Sequence, residues 1–175
     1  MVTGEYATGM VRSSLMAVPR RLPVLGAKLV VFSVCTFVLS IVSAFVAFLL
    51  GQHLLGTHGT TLGAPHVLRA VIGAALYLTV VGALAIGLGF IVRSTAGGIT
   101  ALVALLLVLP GVAQLLPDTW QPHIVPYLPG NAGGSVWAVH PDPGMLGPWA
   151  GFAVFCAWAV AALVGGAIVL KRRDA

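Results

Sequence analysis

Charged residues divide the sequence into long apolar runs. Asp, Glu, Lys and Arg are absent from residues 29–68, 70–92, 94–117, 119–141 and 143–170. A helix that crosses about 30 Å of hydrocarbon needs about 20 apolar residues, and four of these five runs contain such a stretch. The pattern predicts four membrane-spanning helices, at residues 29–51, 70–92, 98–116 and 149–170.

The remaining run is rich in proline and glycine. It contains Pro122, Pro126, Pro129 and Pro141, with Gly130, Gly133 and Gly134. Proline removes a backbone donor and interrupts helices, so no fifth span is expected. Two interpretations stay open: residues 117–148 form an external loop, or they include a short re-entrant element that the protein shields from lipid. In the third span, Pro110 and Gly111 are expected to kink or end the helix near its outer end.

Composition excludes most soluble classes. Hydrophobic residues make up 59% of the 175 residues and charged residues 7%, against about 45–50% and about 25% in typical soluble domains. So many apolar residues also exclude a disordered chain. Nine Lys and Arg scattered among apolar runs do not form the basic face of a nucleic-acid-binding domain. We predict an all-α, polytopic helical bundle in the lipid membrane, with residues 1–175 in a single transmembrane domain and no nucleic-acid partner.

Lys and Arg are distributed unequally between the two ends of the predicted spans. Eight of the nine precede the first span, separate the second from the third, or follow the fourth: Arg12, Arg20, Arg21, Lys28, Arg93, Lys171, Arg172 and Arg173. Arg69, between the first and second spans, lies on the opposite side. Because cytoplasmic ends carry an excess of Lys and Arg, both termini are predicted to be cytoplasmic in a bacterial plasma (inner) membrane.

The sequence offers no pattern for catalysis or for binding a cofactor or a metal ion. It has no phosphate-binding G-x-x-x-x-G-K-[ST] loop and no H-E-x-x-H pair. The four acids lie outside the spans, at Glu5, Asp118, Asp142 and Asp174. Five histidines fall on the predicted outer side without the spacing of metal ligands, at His53, His58, His66, His123 and His140. We expect a non-catalytic chain without a metal ion or cofactor of its own.

Small residues recur along three of the spans. They are Ser43, Ala47 and Gly51 in the first, Gly82, Gly87 and Gly89 in the second, and Ala153, Ala157, Ala161 and Gly165 in the fourth. Small side chains let membrane helices approach closely, so these positions are candidate packing faces. The alternative is that Ala and Gly are simply common in this composition.

The segment before the first span combines an apolar stripe with basic residues. Val11, Leu15, Val18 and Leu22 follow the spacing of one helical face, and Pro19 stops or bends the helix. Such a helix suits two roles. It could rest on lipid with its basic residues near anionic headgroups, or it could dock a soluble partner.

Three segments carry a resemblance to a known family. Residues 5–28 are similar to the first cytoplasmic connection of permease subunits in type-2 ATP-binding-cassette (ABC) exporters, with the matching residues Glu5, Gly9, Leu15, Pro19, Arg21 and Lys28. Residues 67–99, with Arg69, Tyr77 and Arg93, resemble the same family, and so does VPYLPGNAGGSVW at residues 125–137. The resemblance extends over nearly the whole chain, and the three segments follow one another in the family's order.

The resemblance implies a function and a set of partners. Residues 1–28 would form a cytoplasmic coupling segment. Its short amphipathic helix would sit in a cleft of a separate ABC ATPase subunit. ATP and magnesium would bind to that ATPase subunit and not to this chain. The candidate interface residues are Glu5, Gly9, Arg12, Leu15, Pro19, Arg20 and Arg21. The permease would form a homodimer or a heterodimer with another permease and export an apolar or amphiphilic substrate.

One departure from the family leaves an alternative open. Such permeases usually have two further spans before the coupling segment, so this sequence looks like a permease that lacks its first two transmembrane helices. The alternative function is that of a truncated or accessory structural membrane protein without transport activity. In relatives, the segment after the third span here carries short re-entrant helices that act as an external gate, and Pro122, Pro126 and Pro129 fit broken helices there.

Overall fold

A computed structural model describes residues 21–140 and 142–172. This part of the chain consists of helices and connecting turns, without a β-strand. In chain order the α-helices are α1 (Arg21–Leu55), α2 (Val67–Val92), α3 (Thr95–Ala113), α4 (Gln121–Ile124), α5 (Pro129–Gly134) and α6 (Pro148–Arg172). Four of them, α1, α2, α3 and α6, are long and apolar enough to cross a membrane. The predicted all-α fold with four candidate spans is confirmed.

The first helix begins before its predicted span. Helix α1 includes residues from Arg21, the first residue of this part of the chain that the structure describes, rather than from residue 29. At about 1.5 Å per residue, the helix extends roughly 12 Å beyond the apolar stretch that begins at Leu29. The end of the basic segment and the first span are therefore one continuous helix.

Helices α2 and α3 form a tight antiparallel pair. Arg93 caps α2 in the left-handed conformation (φ 56°), and its N–H donates to the Gly89 carbonyl over 2.9 Å. Ser94 then caps α3, and its side chain accepts a hydrogen bond from the Gly97 N–H. Only these two residues separate the helices, so α3 turns back directly beside α2.

Helix α3 accommodates a proline through a wider turn. Pro110 has no N–H to donate one turn back, yet the helix continues to Ala113. Residues Ala104–Val108 form a π-helical turn, in which the Leu109 N–H reaches the Ala104 carbonyl five residues earlier. The predicted interruption therefore takes the form of a π-bulge before Pro110, and the helix ends three residues after it.

Helix α2 is the centre of the bundle and packs against both α1 and α6. A Cβ added at Gly87 would lie 2.6 Å from the Ala162 carbonyl carbon and 2.7 Å from the Leu163 nitrogen of α6. The reciprocal position, Gly166 on α6, would meet the Gly87 oxygen at 3.0 Å. The backbones of α2 and α6 thus cross in direct contact, as small residues permit in membrane helices. Toward the C-terminal ends of the two helices, Phe90 and Leu170 are buried in one cluster.

The candidate packing residues occupy different environments. Gly82, Gly87 and Gly89 are buried in α2, and a Cβ at Gly165 would lie 3.3 Å from Ile91. By contrast, five of the small residues are exposed or face open space in the described chain: Ser43, Ala47, Ala153, Ala157 and Ala161. A Cβ at Gly51 would meet nothing within 4 Å. The structure therefore brings the α2 glycines into contact and leaves the α1 and outer α6 positions on the surface.

A substitution at the α2–α6 crossing should destabilise the fold. Gly87→Ala places a methyl group against the α6 backbone, which cannot rotate away, and such overpacking costs about 1–3 kcal/mol. The matched control is Gly51→Ala, where the new methyl group meets open space and helix propensity improves by up to about 1 kcal/mol. Thermal unfolding in detergent should show a lower midpoint for Gly87→Ala only. Equal midpoints for the two variants would contradict the crossing.

Candidate functional site

The predicted ATPase-coupling residues lie almost entirely outside the described part of the chain. Six of them precede it: Glu5, Gly9, Arg12, Leu15, Pro19 and Arg20. Arg21 is the first residue of α1. The short amphipathic coupling helix therefore stays a prediction, and the features with defined geometry lie toward the other end of the bundle.

The segment between α3 and α6 folds into the bundle. We call residues 121–138 the re-entrant segment; it comprises α4, a 3₁₀ turn at Val125–Tyr127 and α5. Its buried residues are Val125, Pro126, Leu128, Pro129, Ala132, Gly133, Ser135 and Val136. Such burial matches the second of the two interpretations, a short element shielded by protein.

One face of α2 packs against the last residues of the re-entrant segment, which include Val136 and Ala138. Arg69, Gly73 and Tyr77 are spaced four residues apart, so they share one face of the helix. The Arg69 Nη2 donates to the Ala138 carbonyl over 3.0 Å. A Cβ at Gly73 would lie 2.5 Å from the Val136 oxygen. The two backbones are thus in direct contact along the first turns of α2.

Gly133 of the segment lies between two aromatic rings. A Cβ at Gly133 would stand 2.7 Å from Tyr77 Cε2 and 2.8 Å from Phe155 Cδ1. The two rings stack on each other, with centroids 5.2 Å apart. Gly133 is therefore clamped between α2 and α6, at a position where any side chain would displace a ring.

Helix α6 contacts the segment at two further points. Gly151 faces Ser135 Oγ and the Ala132 carbonyl, and its Cβ would lie 2.5 Å from that oxygen. Further along α6, the Trp158 Nε1 donates to the Tyr127 carbonyl over 3.0 Å. The hydrogen bond fixes the start of the segment to the same helix that packs against its end.

Helix α3 completes the enclosure. A Cβ on Gly130 would overlap the Leu106 carbonyl oxygen, which lies within the π-helical turn. In a regular α-helix that carbonyl would accept a bond from residue 110, but Pro110 has no N–H. The close approach of Gly130 therefore occurs where the proline disturbs the hydrogen-bond ladder of α3.

These contacts place the segment well below the ends of the surrounding helices. Tyr77 is ten residues beyond the start of α2 at Val67, and Phe155 is seven beyond the start of α6 at Pro148. At about 1.5 Å per residue, Gly133 lies roughly 10–15 Å along α2 and α6 from those ends. The segment therefore lies among the apolar helices and not beyond their ends.

The segment satisfies its buried polar groups internally. The Ala132 N–H donates to the Leu128 carbonyl over 2.8 Å, and Ser135 Oγ donates to the Ala132 carbonyl over 2.7 Å. Asn131 Nδ2 donates to the Val125 carbonyl over 2.9 Å. Non-helical backbone at membrane depth requires such protein partners because lipid supplies none.

Arg69 is the charged residue of the site. Its Nη1 is buried and has no hydrogen-bond partner among the described residues. A buried donor left unsatisfied costs about 1–3 kcal/mol, and more when it is charged. The guanidinium is therefore held by the Ala138 carbonyl and by packing.

The histidines do not converge. All five are exposed: His53, His58, His66, His123 and His140. Within residues 21–140 and 142–172, no group of three or more His, Cys, Asp or Glu side chains could hold a metal ion.

Several residues of this site were not singled out by the sequence. Gly73 lies four residues from both Arg69 and Tyr77, a spacing that would have identified it as the middle of a helical face. Gly151 and Trp158 act through partners distant in sequence. No local pattern reports such partners, so only the fold reveals them.

Comparison with protein-family models, with curated protein sequences and with solved structures finds no match to this chain. The four apolar helices fit a multi-pass membrane protein. The similarity to ABC permeases stays a prediction from the sequence.

Two glycines of α5 provide a matched test of the docked segment. Gly130→Ala drives a methyl group into the Leu106 carbonyl, whereas Gly134→Ala meets nothing within 4 Å. Gly130→Ala should lower the free energy of unfolding by about 1–3 kcal/mol, and Gly134→Ala should leave it equal or higher. Unfolding in detergent, followed by circular dichroism, measures both. A Gly130→Ala variant as stable as Gly134→Ala would rule out the contact with α3.

The hydrogen bond from Trp158 can be tested separately. Trp158→Phe keeps an aromatic ring but removes the donor to the Tyr127 carbonyl, which should destabilise the protein by about 0.5–1.5 kcal/mol. Trp149→Phe, at an exposed ring on the same helix, is the control and should change stability by less than about 0.5 kcal/mol. The same unfolding assay reports both variants, and an equal loss in both would show that ring size alone matters.

Proposed function

We propose that the chain is the membrane-spanning permease subunit of an ABC exporter. In this proposal a separate ATPase subunit binds ATP and magnesium, and the permease couples hydrolysis to efflux of an apolar or amphiphilic substrate. The protein lies in the bacterial plasma membrane with both termini in the cytoplasm. The carrying observation is the buried re-entrant segment between the third and fourth candidate spans, where the sequence resembles these permeases at residues 125–137.

The continuity of α1 supports the coupling role. Helix α1 includes Arg21, the last of the candidate ATPase-contact residues, and continues from it into the first span without a break. A continuous helix transmits a displacement of its inner end along its length, because its backbone hydrogen bonds resist bending. A flexible linker between the segment and the span would absorb the same displacement.

The polar groups of the spans support an apolar or amphiphilic cargo. Ser33, Thr36, Ser40 and Ser43 are the hydroxyl-bearing residues of the first candidate span, and Ser40 is buried. On α2, Thr79 Oγ1 donates to the Ala75 carbonyl of its own helix. A path for a sugar or an ion would need polar or charged side chains at membrane depth.

A second copy or a related permease would complete the transporter. The exposed small residues Ala153, Ala157 and Ala161 on α6 suit close contact with another membrane helix. The homodimer or heterodimer is part of the proposal.

A structural role without transport is the second candidate, and one observation favours it. Arg69, Asn131 and Trp158 each donate a hydrogen bond to a carbonyl of the same chain. Such bonds hold the fold together and offer nothing to a cargo. Association with an ATPase distinguishes the two candidates.

The test is recovery of an ATPase with the tagged chain from its native membrane. We expect a co-purifying protein with a G-x-x-x-x-G-K-[ST] phosphate-binding loop, identified by mass spectrometry. The Arg12→Glu, Leu15→Asp double variant should reduce its recovery at least about tenfold, since a charge reversal and a buried acid each disrupt a docked helix. Arg172→Glu with Ala175→Asp, at the other cytoplasmic end, is the matched control.

Two outcomes would count against the proposal. Equal recovery of the ATPase with the double variant and the control would remove the coupling segment as the docking site. Absence of any such ATPase from the unmodified preparation would favour the structural role.

A further inference from the structure

We infer that the end of the bundle that holds the re-entrant segment is anchored in the headgroup layer of one leaflet by three exposed indole rings, those of Trp120, Trp137 and Trp149. The partner of this surface is lipid, and one of the anchors, Trp137, belongs to the re-entrant segment itself. The inference concerns the position of the chain in a bilayer, so it holds for either candidate function.

The first argument is the kind of aromatic residue that is exposed. Trp120, Trp137 and Trp149 are 61%, 49% and 63% exposed. All seven Phe residues lie in the described part of the chain, and each is buried or partly buried. Phe is wholly apolar, whereas an indole combines an apolar body with an N–H donor. Such rings concentrate at the boundary of the hydrocarbon layer, where the body contacts acyl chains and the N–H meets polar groups.

The second argument is that two of these rings start from nearly the same level along the bundle. Helices α2 and α6 run in the same direction, with the ring of Tyr77 stacked on that of Phe155. The Trp137 nitrogen lies 3.2 Å from a Cβ placed on Gly73, which is four residues, or about 6 Å, before Tyr77. Trp149 is six residues, or about 9 Å, before Phe155. The two tryptophan backbones therefore lie within about 3 Å of one level.

Trp120 belongs to the same end of the bundle. It follows α3, which turns back directly beside α2 and is 19 residues long. A similar length of α2 leads from Val92 back to about Gly73, so α3 ends close to the level of Gly73. Gln121 Nε2 then donates to the Leu116 carbonyl over 2.9 Å, which holds the chain next to Trp120 against the end of α3.

The third argument is the distance from this level to the opposite end of the bundle. Gly73 and Arg93 are twenty residues apart, which is about 30 Å along α2. The hydrocarbon layer is also about 30 Å thick. With the indole rings at one boundary, Arg93 therefore lies at the other, where a basic side chain meets headgroups and water. Described residues 21–31, 89–99 and 163–172, at that opposite end, contain no Trp or Tyr.

Trp158 provides an internal reference for depth. It lies on the same helix as Trp149 but nine residues further along, which is about 13 Å deeper. Its Nε1 already donates to the Tyr127 carbonyl, so this indole needs no headgroup as a partner. In the inferred arrangement Trp158 lies near the middle of the hydrocarbon layer and the other three rings lie at its boundary.

Fluorescence quenching by brominated lipids tests the inference in the full chain reconstituted in phosphatidylcholine vesicles. Bromine near the glycerol end of the acyl chains quenches rings at the boundary, and bromine near the methyl end quenches rings in the middle of the bilayer. Trp158 is kept in every protein because its hydrogen bond holds the segment. The reference protein carries Trp120→Phe, Trp137→Phe and Trp149→Phe, and three further proteins each retain one of these tryptophans.

The reference protein should be quenched more strongly by the lipid brominated near the methyl end. The emission added by each retained tryptophan should instead be quenched at least about twofold more by the lipid brominated near the glycerol end, because these rings lie at the boundary. Each protein must keep its helical circular dichroism, and substitution to Tyr replaces substitution to Phe in any protein that loses it.

Three results would overturn the inference. If the emission added by Trp137 responded to the two lipids as Trp158 does, the ring would lie in the middle of the bilayer. Quenching by iodide in the water, and by neither lipid, would place it in a loop outside the membrane. Protection from both lipids and from iodide would show that protein, such as a second copy of the chain, covers it. Because no ATPase is present, none of these results bears on the proposed coupling to ATP hydrolysis.

Discussion

Lipid offers no hydrogen-bond partner to a peptide group, and this constraint governs the least regular part of the chain. Residues 121–138 break into short helices because of their prolines, and each break frees backbone groups. The protein supplies partners through Asn131 within the segment, Trp158 of α6 and Arg69 of α2. The surrounding helices bury the segment through close backbone contacts, whereas its Tyr127 and Trp137 rings are about half exposed. The long helices supply the backbone contacts and hydrogen bonds that hold this irregular segment in place.

Glycine residues allow the close backbone contacts between the helices and the segment. Gly87 lets α2 and α6 cross with their backbones in contact, and Gly73, Gly130 and Gly151 admit the re-entrant segment among the three helices. In a membrane, helices gain no hydrophobic advantage by leaving lipid for one another, so close packing and interhelical hydrogen bonds supply the attraction. Helix α1 joins this network through α2, where the Phe32 ring lies against Gly82.

The sequence predicted the architecture well and the contacts poorly. Runs without charge located four spans because a charged side chain is costly in hydrocarbon, and the prolines and glycines of residues 119–141 excluded a fifth. The helical residues 21–28 were not predicted as part of the first helix, since Lys28 ended the run without charge on which that span was placed. Regular spacing selected Ala153, Ala157 and Ala161, which are exposed, and passed over Gly151, which is buried. Spacing alone does not say which face of a helix meets a neighbour. The amphipathic segment before α1 lies outside the described residues, so its role rests on the sequence.

Hydrogen–deuterium exchange of the nanodisc-embedded chain tests the central claim, that residues 129–136 are a buried part of the membrane bundle. Peptides that cover this stretch should exchange as slowly as peptides from the middle of α2, because their amides are hydrogen-bonded and shielded from water. The exposed connection around Gly59 and Thr60 should exchange much faster. Exchange of residues 129–136 at the rate of that connection would show that the segment lies in water outside the bundle, and would contradict the account.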